Sequence, residues 1–509
     1  MLSNVVSRAN AAFRQPFTLA DFSDRVAAMW GPRQMVDEAG GYRATFTEAG
    51  AMVRVLSEVI AASCAPNERV VLAVPNSYDQ FLLCLAVSRA GCLPVPVNSQ
   101  MKPAEIDHVV ADSEAALVVT SLDQLDEMAL DLRDRFGSIA AIEPATPAHD
   151  DVAALFYTSG TTGKPKGAAL THKALVGSAG LATLAPIGIG DVEVVVALPV
   201  AHIFGFAMLV ASAAAGVRVH FMSRFRAGPV LDAIEERRSA AFVGVPAMYR
   251  MMLEAGADHR DLKSIRLWIS GADALPDGLA ATFKKLGAAA ELPMIGPVGE
   301  AAFVEGYGMV EIGGGAALRV SLPLVPERFG GNLALRMPGY RFRVVDEDGK
   351  VLGHGREGEL QMRGPGVLKQ YWNAPDATRG AITDDGWLRT GDLVRLSWLG
   401  TITFCGRSKH IIKSGGYSVY PLEVEAVIDA HPDVVESAVV SKADPKLGSV
   451  PVAAVRVRKG AKVTEDELRS WVGERVSHYK EPREVKFVDE LPRTGTEKVQ
   501  REHLEELFR

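Results

Sequence analysis

Short β-branched runs alternate with helical spacing through the first quarter of the chain. Residues 70–74 and 93–97 read as strands, and residues 78–89 and 103–111 read as helices. Such alternation predicts a parallel, doubly wound sheet. A Pro-, Ala- and Asp-rich link at 143–151 leads to an apolar run at 152–157, read as a buried strand. Thr171 then fits the N-cap of a helix through Leu175, Ala179 and Ala182. Further strands are expected at 240–245 and 267–270. Residues 194–217 hold no Asp, Glu, Lys or Arg over a length that could span a bilayer. Pro199, His202 and Gly205 interrupt that run, so a buried strand–turn–helix is expected instead.

The texture changes near Gly339. Short strands at 342–345 and 359–363, with a turn at 346–349, suggest a small β-rich subdomain on the large domain. The last fifth of the chain reads as a separate α+β unit. Pro421 suits a helix N1 position, with Val424, Val427 and Ile428 on one face. Residues 455–458 alternate as a half-exposed strand. Thr464 and Glu467 form a capping box, stapled by Val463 and Leu468. The expected fold is α/β: a large N-terminal domain, 1–408, and a mobile C-terminal domain, 409–509.

Composition narrows the function classes. A chain of 509 residues exceeds one ordinary domain, and 48% hydrophobic with 23% charged residues suits a globular protein. The net charge of −7 disfavours nucleic acid as a partner. Cys64, Cys84, Cys92 and Cys405 match no zinc spacing and no disulfide framework. Residues 1–17 lack the apolar stretch of a signal peptide. A cytoplasmic enzyme is the expectation, with peripheral membrane contact left open.

Residues 157–167, Tyr-Thr-Ser-Gly-Thr-Thr-Gly-Lys-Pro-Lys-Gly, carry the most chemistry. Gly160, Gly163 and Gly167 let backbone N–H groups approach a polyphosphate. The hydroxyls of Thr158, Ser159, Thr161 and Thr162 donate hydrogen bonds, and Lys164 and Lys166 supply charge. The spacing is not that of a Walker A loop. Five further segments follow in order: Ser270–Pro276, Gly306–Glu311 (Gly-Tyr-Gly-Met-Val-Glu), Arg389–Asp392, Gly406–Gly416 continuing to Glu425, and Leu491–Lys498 ending at Arg501.

Together these segments resemble the adenylate-forming superfamily of acyl-CoA synthetases, adenylation domains and luciferases, across nearly the whole chain. The resemblance implies a carboxylic acid activated with ATP and Mg²⁺, then passed to CoA. It implies that Lys498 bridges carboxylate and phosphate oxygens, that Glu311 ligates Mg²⁺, and that His202 lines the carboxylate end of the acyl pocket. Gly271, Ala272 and Asp273 would lie along adenine with Gly306, Tyr307 and Gly308. Asp392, assisted by Arg407, would accept from the ribose hydroxyls. Lys409 would be the hinge, and Gly415 and Gly416 would line the thiol tunnel. Taken singly, Lys498 also reads as a solvated lysine, Asp392 as a turn residue, His202 as a core histidine, Tyr307 as core filler and the two glycines as a turn.

Three positions depart from the pattern: Val310 in place of threonine, Glu497 in place of glycine, and Glu305 in place of glutamine. No acidic residue follows His202 through Gly216, which disfavours an amino-acid substrate. Ile203, Phe204, Phe206, Val243, Val245, Met248 and Val304 are candidate apolar walls for a fatty or aryl-alkyl acid. The alternatives are a fatty acyl-AMP ligase that loads a carrier protein, and a weakened nucleotide- or acyl-CoA-binding homologue.

Overall fold

The computed structural model describes residues 2–158, 164–184, 192–322, 333–398, 400–494 and 498–509. The chain forms two compact units, Met1–Tyr340 with Gly364–Gly380, and Arg341–Arg363 with Ala381–Arg509.

The first unit is built on a nine-stranded sheet in the order Leu333–Arg336, Gly314–Ser321, Ala302–Met309, Leu267–Gly271, Ala241–Gly244, Glu193–Val196, Arg218–Phe221, Gln34–Glu38 and Arg43–Thr45. Six consecutive strands, from Ala302–Met309 to Gln34–Glu38, run parallel, and antiparallel strands finish both edges. All four residues of Ala241–Gly244 and of Glu193–Val196 are buried, as strands covered on both faces must be. One cover packs helices Ala227–Arg237, Pro246–Glu254 and Asp277–Leu286 around Phe242, Trp268 and Phe303. Elsewhere the buried Phe206 packs against the rings of Phe81 and Phe156. Among the described residues three smaller sheets belong to the same unit: parallel Leu93–Pro96, Arg69–Leu72 and Leu117–Val119, antiparallel Gln370–Tyr371, Lys166–Thr171 and Val152–Thr158, and the two-stranded Ala290–Leu292 with Gly296–Val298.

The helices expected at 78–89 and 103–111 are present as Tyr78–Arg89 and Pro103–Ser113. Thr171 caps its helix by accepting from Ala174 N, but the helix stops at Val176 and resumes as Ala179–Ala182. Gly177 and Ser178, both poor helix formers, stand at the break. The uncharged run at 194–217 is a strand end and the helix Ile203–Ala215, as expected. Among the described residues, no helix is long and apolar enough to cross a membrane.

The second unit holds two sheets. Arg341–Val345, Glu357–Arg363, Leu388–Leu396 and Ile402–Arg407 form an antiparallel four-stranded sheet. The other centres on the paired strands Val434–Asp444 and Gly448–Val457. The strand expected only at 455–458 is the tail of this longer element. Residues 450–455 are wholly buried, so period-2 alternation survives only near its end. Pro421 occupies the first turn of Pro421–Asp429, and Thr464 and Glu467 make the reciprocal capping bonds of Glu465–Gly473.

Candidate functional site

In an open parallel sheet, ligands bind beyond the carboxyl ends of the strands. That edge gathers three of the segments singled out from the sequence. Strand Leu267–Gly271 delivers Gly271, Ala272 and Asp273, with Ala272 held at φ +71°, a left-handed backbone rarely taken by alanine. Next to it, strand Ala302–Met309 carries Gly306, Tyr307 and Gly308, with Gly271 paired to Gly306. A Cβ on Gly308 would collide with the carbonyl of Gly314, so that position admits only glycine. Beyond strand Glu193–Val196, His202 N-caps the helix Ile203–Ala215, its Nδ1 accepting from Phe204 N at 3.3 Å. That bond leaves the proton on Nε2 of the neutral ring. The Phe204 ring lies over Gly271, where a Cβ would stand 3.1 Å away.

The described residues of the phosphate-loop segment lie on two paired antiparallel strands and the stretch that enters the second. Val152–Thr158 pairs with Lys166–Thr171, with Thr158 opposite Lys166. Ser159, Gly160, Thr161, Thr162 and Gly163 lie outside the described residues. The strands and that stretch are clamped by the helix Pro103–Ser113: His108 Nε2 bonds Pro165 O at 3.0 Å, and Tyr157 Oη donates to Asp112 Oδ2 at 2.7 Å. On the other side Tyr371 joins the sheet opposite Ala168. The Lys166 ammonium sits 5.8 Å from the centre of the Tyr371 ring. Tyr371 Oη donates to Glu311 Oε1 at 2.8 Å, and Leu368 N bonds Glu311 O at 2.7 Å. Burial and the Glu311 charge hold the Tyr371 phenol far above its usual range, so it stays a donor.

Glu305 departs from the family pattern without leaving an unmatched charge. It faces Arg319 across the strand pair at 3.4 Å and accepts from Leu275 N at 3.3 Å, bracing the segment 270–276.

In the second unit, Asp392 and Arg407 are cross-strand neighbours, paired at 2.8 Å. Asp392 is only 2% exposed, which an unpaired carboxylate would not tolerate, so it is more than a turn residue. Lys409 lies close enough to Asp392, Arg407 and Lys498 to feel their charges. Burial, Arg407 and Lys498 pull its pKa down, against Glu502 and Asp392. Lys498 bonds Thr494 twice, its carbonyl accepting from Thr494 N at 2.8 Å and its own N–H donating to Thr494 Oγ1 at 3.2 Å. Burial, Arg501, Lys409 and Arg407 drive His410 down to about 3, so it adds no charge to this cationic cluster near neutrality. Gly415 and Gly416, at φ +57° and +86°, form the two-residue turn joining Ile412–Ser414 to Tyr417–Val419. Their turn role is therefore real, whatever passes beside it. Glu497 lies outside the described residues.

A family model described as AMP-binding enzyme matches residues 18–372, and one for the AMP-binding enzyme C-terminal domain matches residues 423–498. The chain belongs to the AMP-binding enzyme family. Feruloyl-CoA synthase of Amycolatopsis sp is 32% identical over 490 residues, spanning 93% of this chain and 95% of that protein. The long-chain-fatty-acid–CoA ligase FadD13 of Mycobacterium tuberculosis is 31% identical over 495 residues, with the same shares, 93% and 95%. Among solved structures, o-succinylbenzoate CoA synthetase (MenE) of Bacillus subtilis, in complex with its acyl-adenylate intermediate, superposes with a TM-score of 0.79. It is 27% identical and covers 95% of this chain and 97% of that one.

Within this AMP-binding enzyme, the structure adds residues that sequence reading missed: Tyr371, Arg319, His108 and Asp112. Tyr371 sits in Gln-Tyr-Trp-Asn, an apolar–polar mix with no signal of its own, and reaches Glu311 only through sheet pairing. Tyr371→Phe removes one hydrogen bond to a charged acceptor, worth about 1.5–3 kcal/mol. The KM for MgATP is expected to rise roughly tenfold, and because the bond is already made without ligand the unfolding midpoint should fall as well. Steady-state pyrophosphate release against MgATP concentration checks it, and an unchanged KM would detach Tyr371 from nucleotide binding.

Proposed function

We propose that this chain is an ATP-dependent carboxylic acid–CoA ligase that works through an acyl-adenylate and acts on a fatty or aryl-alkyl acid. The observation that carries the reading is the gathering of Asp392, Arg407, Lys409 and Lys498 in one compact unit, in a chain matched by both family models. A carboxylate oxygen forms a bond to the α-phosphorus of ATP, and the bond to the bridging oxygen breaks, releasing pyrophosphate. The thiol of CoA then loses its proton as its sulfur bonds the acyl carbon, the acyl carbon–oxygen bond breaks, and AMP leaves with that oxygen and the electrons of the broken bond. Both steps bring negative groups together, so preorganised cations and N–H donors supply most of the rate.

In this proposal Thr158, Lys164 and Lys166, with the loop between them, hold the polyphosphate. Asp392 accepts from the ribose hydroxyls while Arg407 keeps it oriented. Lys498 stabilises the charge shared by carboxylate and phosphate oxygens. His202, at the positive end of a 13-residue helix and protonated on Nε2, donates toward the substrate carboxylate. Ile203, Val243, Val245 and Met248, all buried, supply apolar surface next to it. Glu311, steadied by Tyr371, is a hard oxygen ligand fit for Mg²⁺, which keeps most of its other positions for water and phosphate. When bound there, the ion draws charge from the phosphates. Lys409 is the proposed pivot of the C-terminal domain, 409–509, and Gly415–Gly416 the narrow point for the pantetheine arm. The four cysteines are free thiols, which fits a reducing, cytoplasmic setting.

A panel of fatty and aryl-alkyl acids, assayed for pyrophosphate release with and without CoA, tests the proposal. Acid-dependent release, with acyl-CoA formed when CoA is present, is the expected result. Adenylate without thioester would move the chain to an acyl-AMP ligase. A weakened enzyme has one observation in its favour: Val310 opens the 3₁₀ turn Val310–Ile312 without a hydroxyl. Val310→Thr restores that donor and is expected to raise kcat/KM for ATP by roughly five- to tenfold, the worth of one hydrogen bond. A variant no faster than the parent would show that the phosphate does not use this position.

A further inference from the structure

At the opposite, amino-end edge of the main sheet, the connection between helix Asp277–Leu286 and strand Ala302–Met309 extends as a two-stranded hairpin, Ala290–Leu292 paired with Gly296–Val298. Its tip, Leu-Pro-Met-Ile-Gly-Pro at 292–297, has no charged or hydrogen-bonding side chain. Met294 is fully exposed, Ile295 is 72% exposed and Leu292 is 43% exposed. Such clustering of large apolar side chains is unusual on a free surface.

The backbone sharpens the point. Ile295 N bonds Leu292 O at 3.2 Å, closing a turn with Pro293 second and Met294 third, at φ +67°. That third position favours glycine or asparagine, because side chains strain there. The chain thus holds a long apolar side chain in solvent at a site where glycine is the relaxed choice.

The base of the hairpin is cationic. Glu291 meets Arg238 at 3.1 Å and Arg266 at 3.6 Å, and Arg238 also reaches Asp261 at 3.7 Å. Lys263 is held on the carbonyls of Lys285 and Gly287, and Lys285 itself is exposed. Cations therefore outnumber carboxylates around an uncharged tip. So small a tip falls short of the roughly 1,200 Å² that a stable protein interface buries. It suits a lipid surface, where a few apolar side chains enter the acyl boundary and basic residues meet anionic headgroups.

We propose that the hairpin 290–298 docks this enzyme onto anionic membranes. Docking by this edge leaves the carboxyl ends of the strands, with the nucleotide segments, open to solvent. The inference stands apart from the ligase reading, because binding is measured without turnover.

The test is sedimentation of the full chain with phosphatidylcholine vesicles, with and without phosphatidylglycerol. The chain is expected to sediment with the phosphatidylglycerol vesicles and to be released by added salt. Met294→Gly with Ile295→Ser should lower the bound-to-free ratio roughly tenfold or more, since two apolar side chains no longer leave water. Pyrophosphate release on a short, soluble acid should not change. Met294→Gly alone removes backbone strain, so it should keep or raise the unfolding midpoint while weakening binding, which guards against misfolding as the cause. No sedimentation of the parent chain, or equal binding by the variants, would overturn the proposal. So would lipid-free self-association that the variants abolish, because the tip would then serve a second copy of this chain.

Discussion

Lys498→Ala is expected to lower acid-dependent pyrophosphate release by roughly 10²–10³-fold, the loss that follows removal of one preorganised donor to developing charge. The two bonds between Thr494 and Lys498 use the lysine's backbone and not its side chain, so the fold should survive. Loss of the ammonium also removes a like charge felt by Lys409, whose pKa should move back up. The decisive readout separates the two half-reactions. With a preformed acyl-adenylate, transfer to CoA should proceed within a few-fold of the parent rate, because Lys498 serves the step that makes the adenylate. If both half-reactions fall together, Lys498 holds structure or nucleotide in general. If neither falls, the proposed mechanism is wrong.

Arg501→Ala should cost about 3–5 kcal/mol of stability in the C-terminal unit, since it strands a buried carboxylate. Arg501 spans both oxygens of Glu425, at 2.5 and 3.0 Å, and also donates to Val439 O at 2.7 Å. Glu425 in turn accepts from Val439 N at 2.7 Å, tying helix Pro421–Asp429 to strand Val434–Asp444. The side chains are 17% and 9% exposed, so solvent screens the pair weakly. Denaturant unfolding checks the size of the loss, and Arg501→Met with Glu425→Met should recover much of it by replacing the pair with apolar bulk. A loss under 1 kcal/mol would class the pair with exposed surface ion pairs. Since Gln500, next to Arg501, bonds Pro492 O through its N–H and lies two residues from Lys498, activity should fall with stability in the single variant.

Much of the fold could be read in advance wherever a local signal sufficed. Pro103, Pro421 and the Thr464–Glu467 box mark helix starts because capping chemistry acts within one turn. The same locality misled at Thr171, where a sound cap gave no warning of the break at Gly177–Ser178. It also failed along Gly448–Val457, because burial on both faces erases the period-2 pattern that identifies a strand.

By itself the sequence determined the chemical inventory: a phosphate-loop composition, an ordered series of motifs and helix caps that set their local backbone. These depend on neighbours a few residues apart, which any reading of the chain can see. Only tertiary structure decided which groups meet. Tyr371 reaches Glu311 across 60 residues, and Arg501 reaches Glu425 across 76. Asp112 and His108 grip the phosphate-loop segment from a helix with no motif, and Met294 stands in solvent rather than in the core. Those outcomes rest on sheet register and on what packing leaves uncovered. Both are properties of the whole fold, and no short stretch of sequence encodes either.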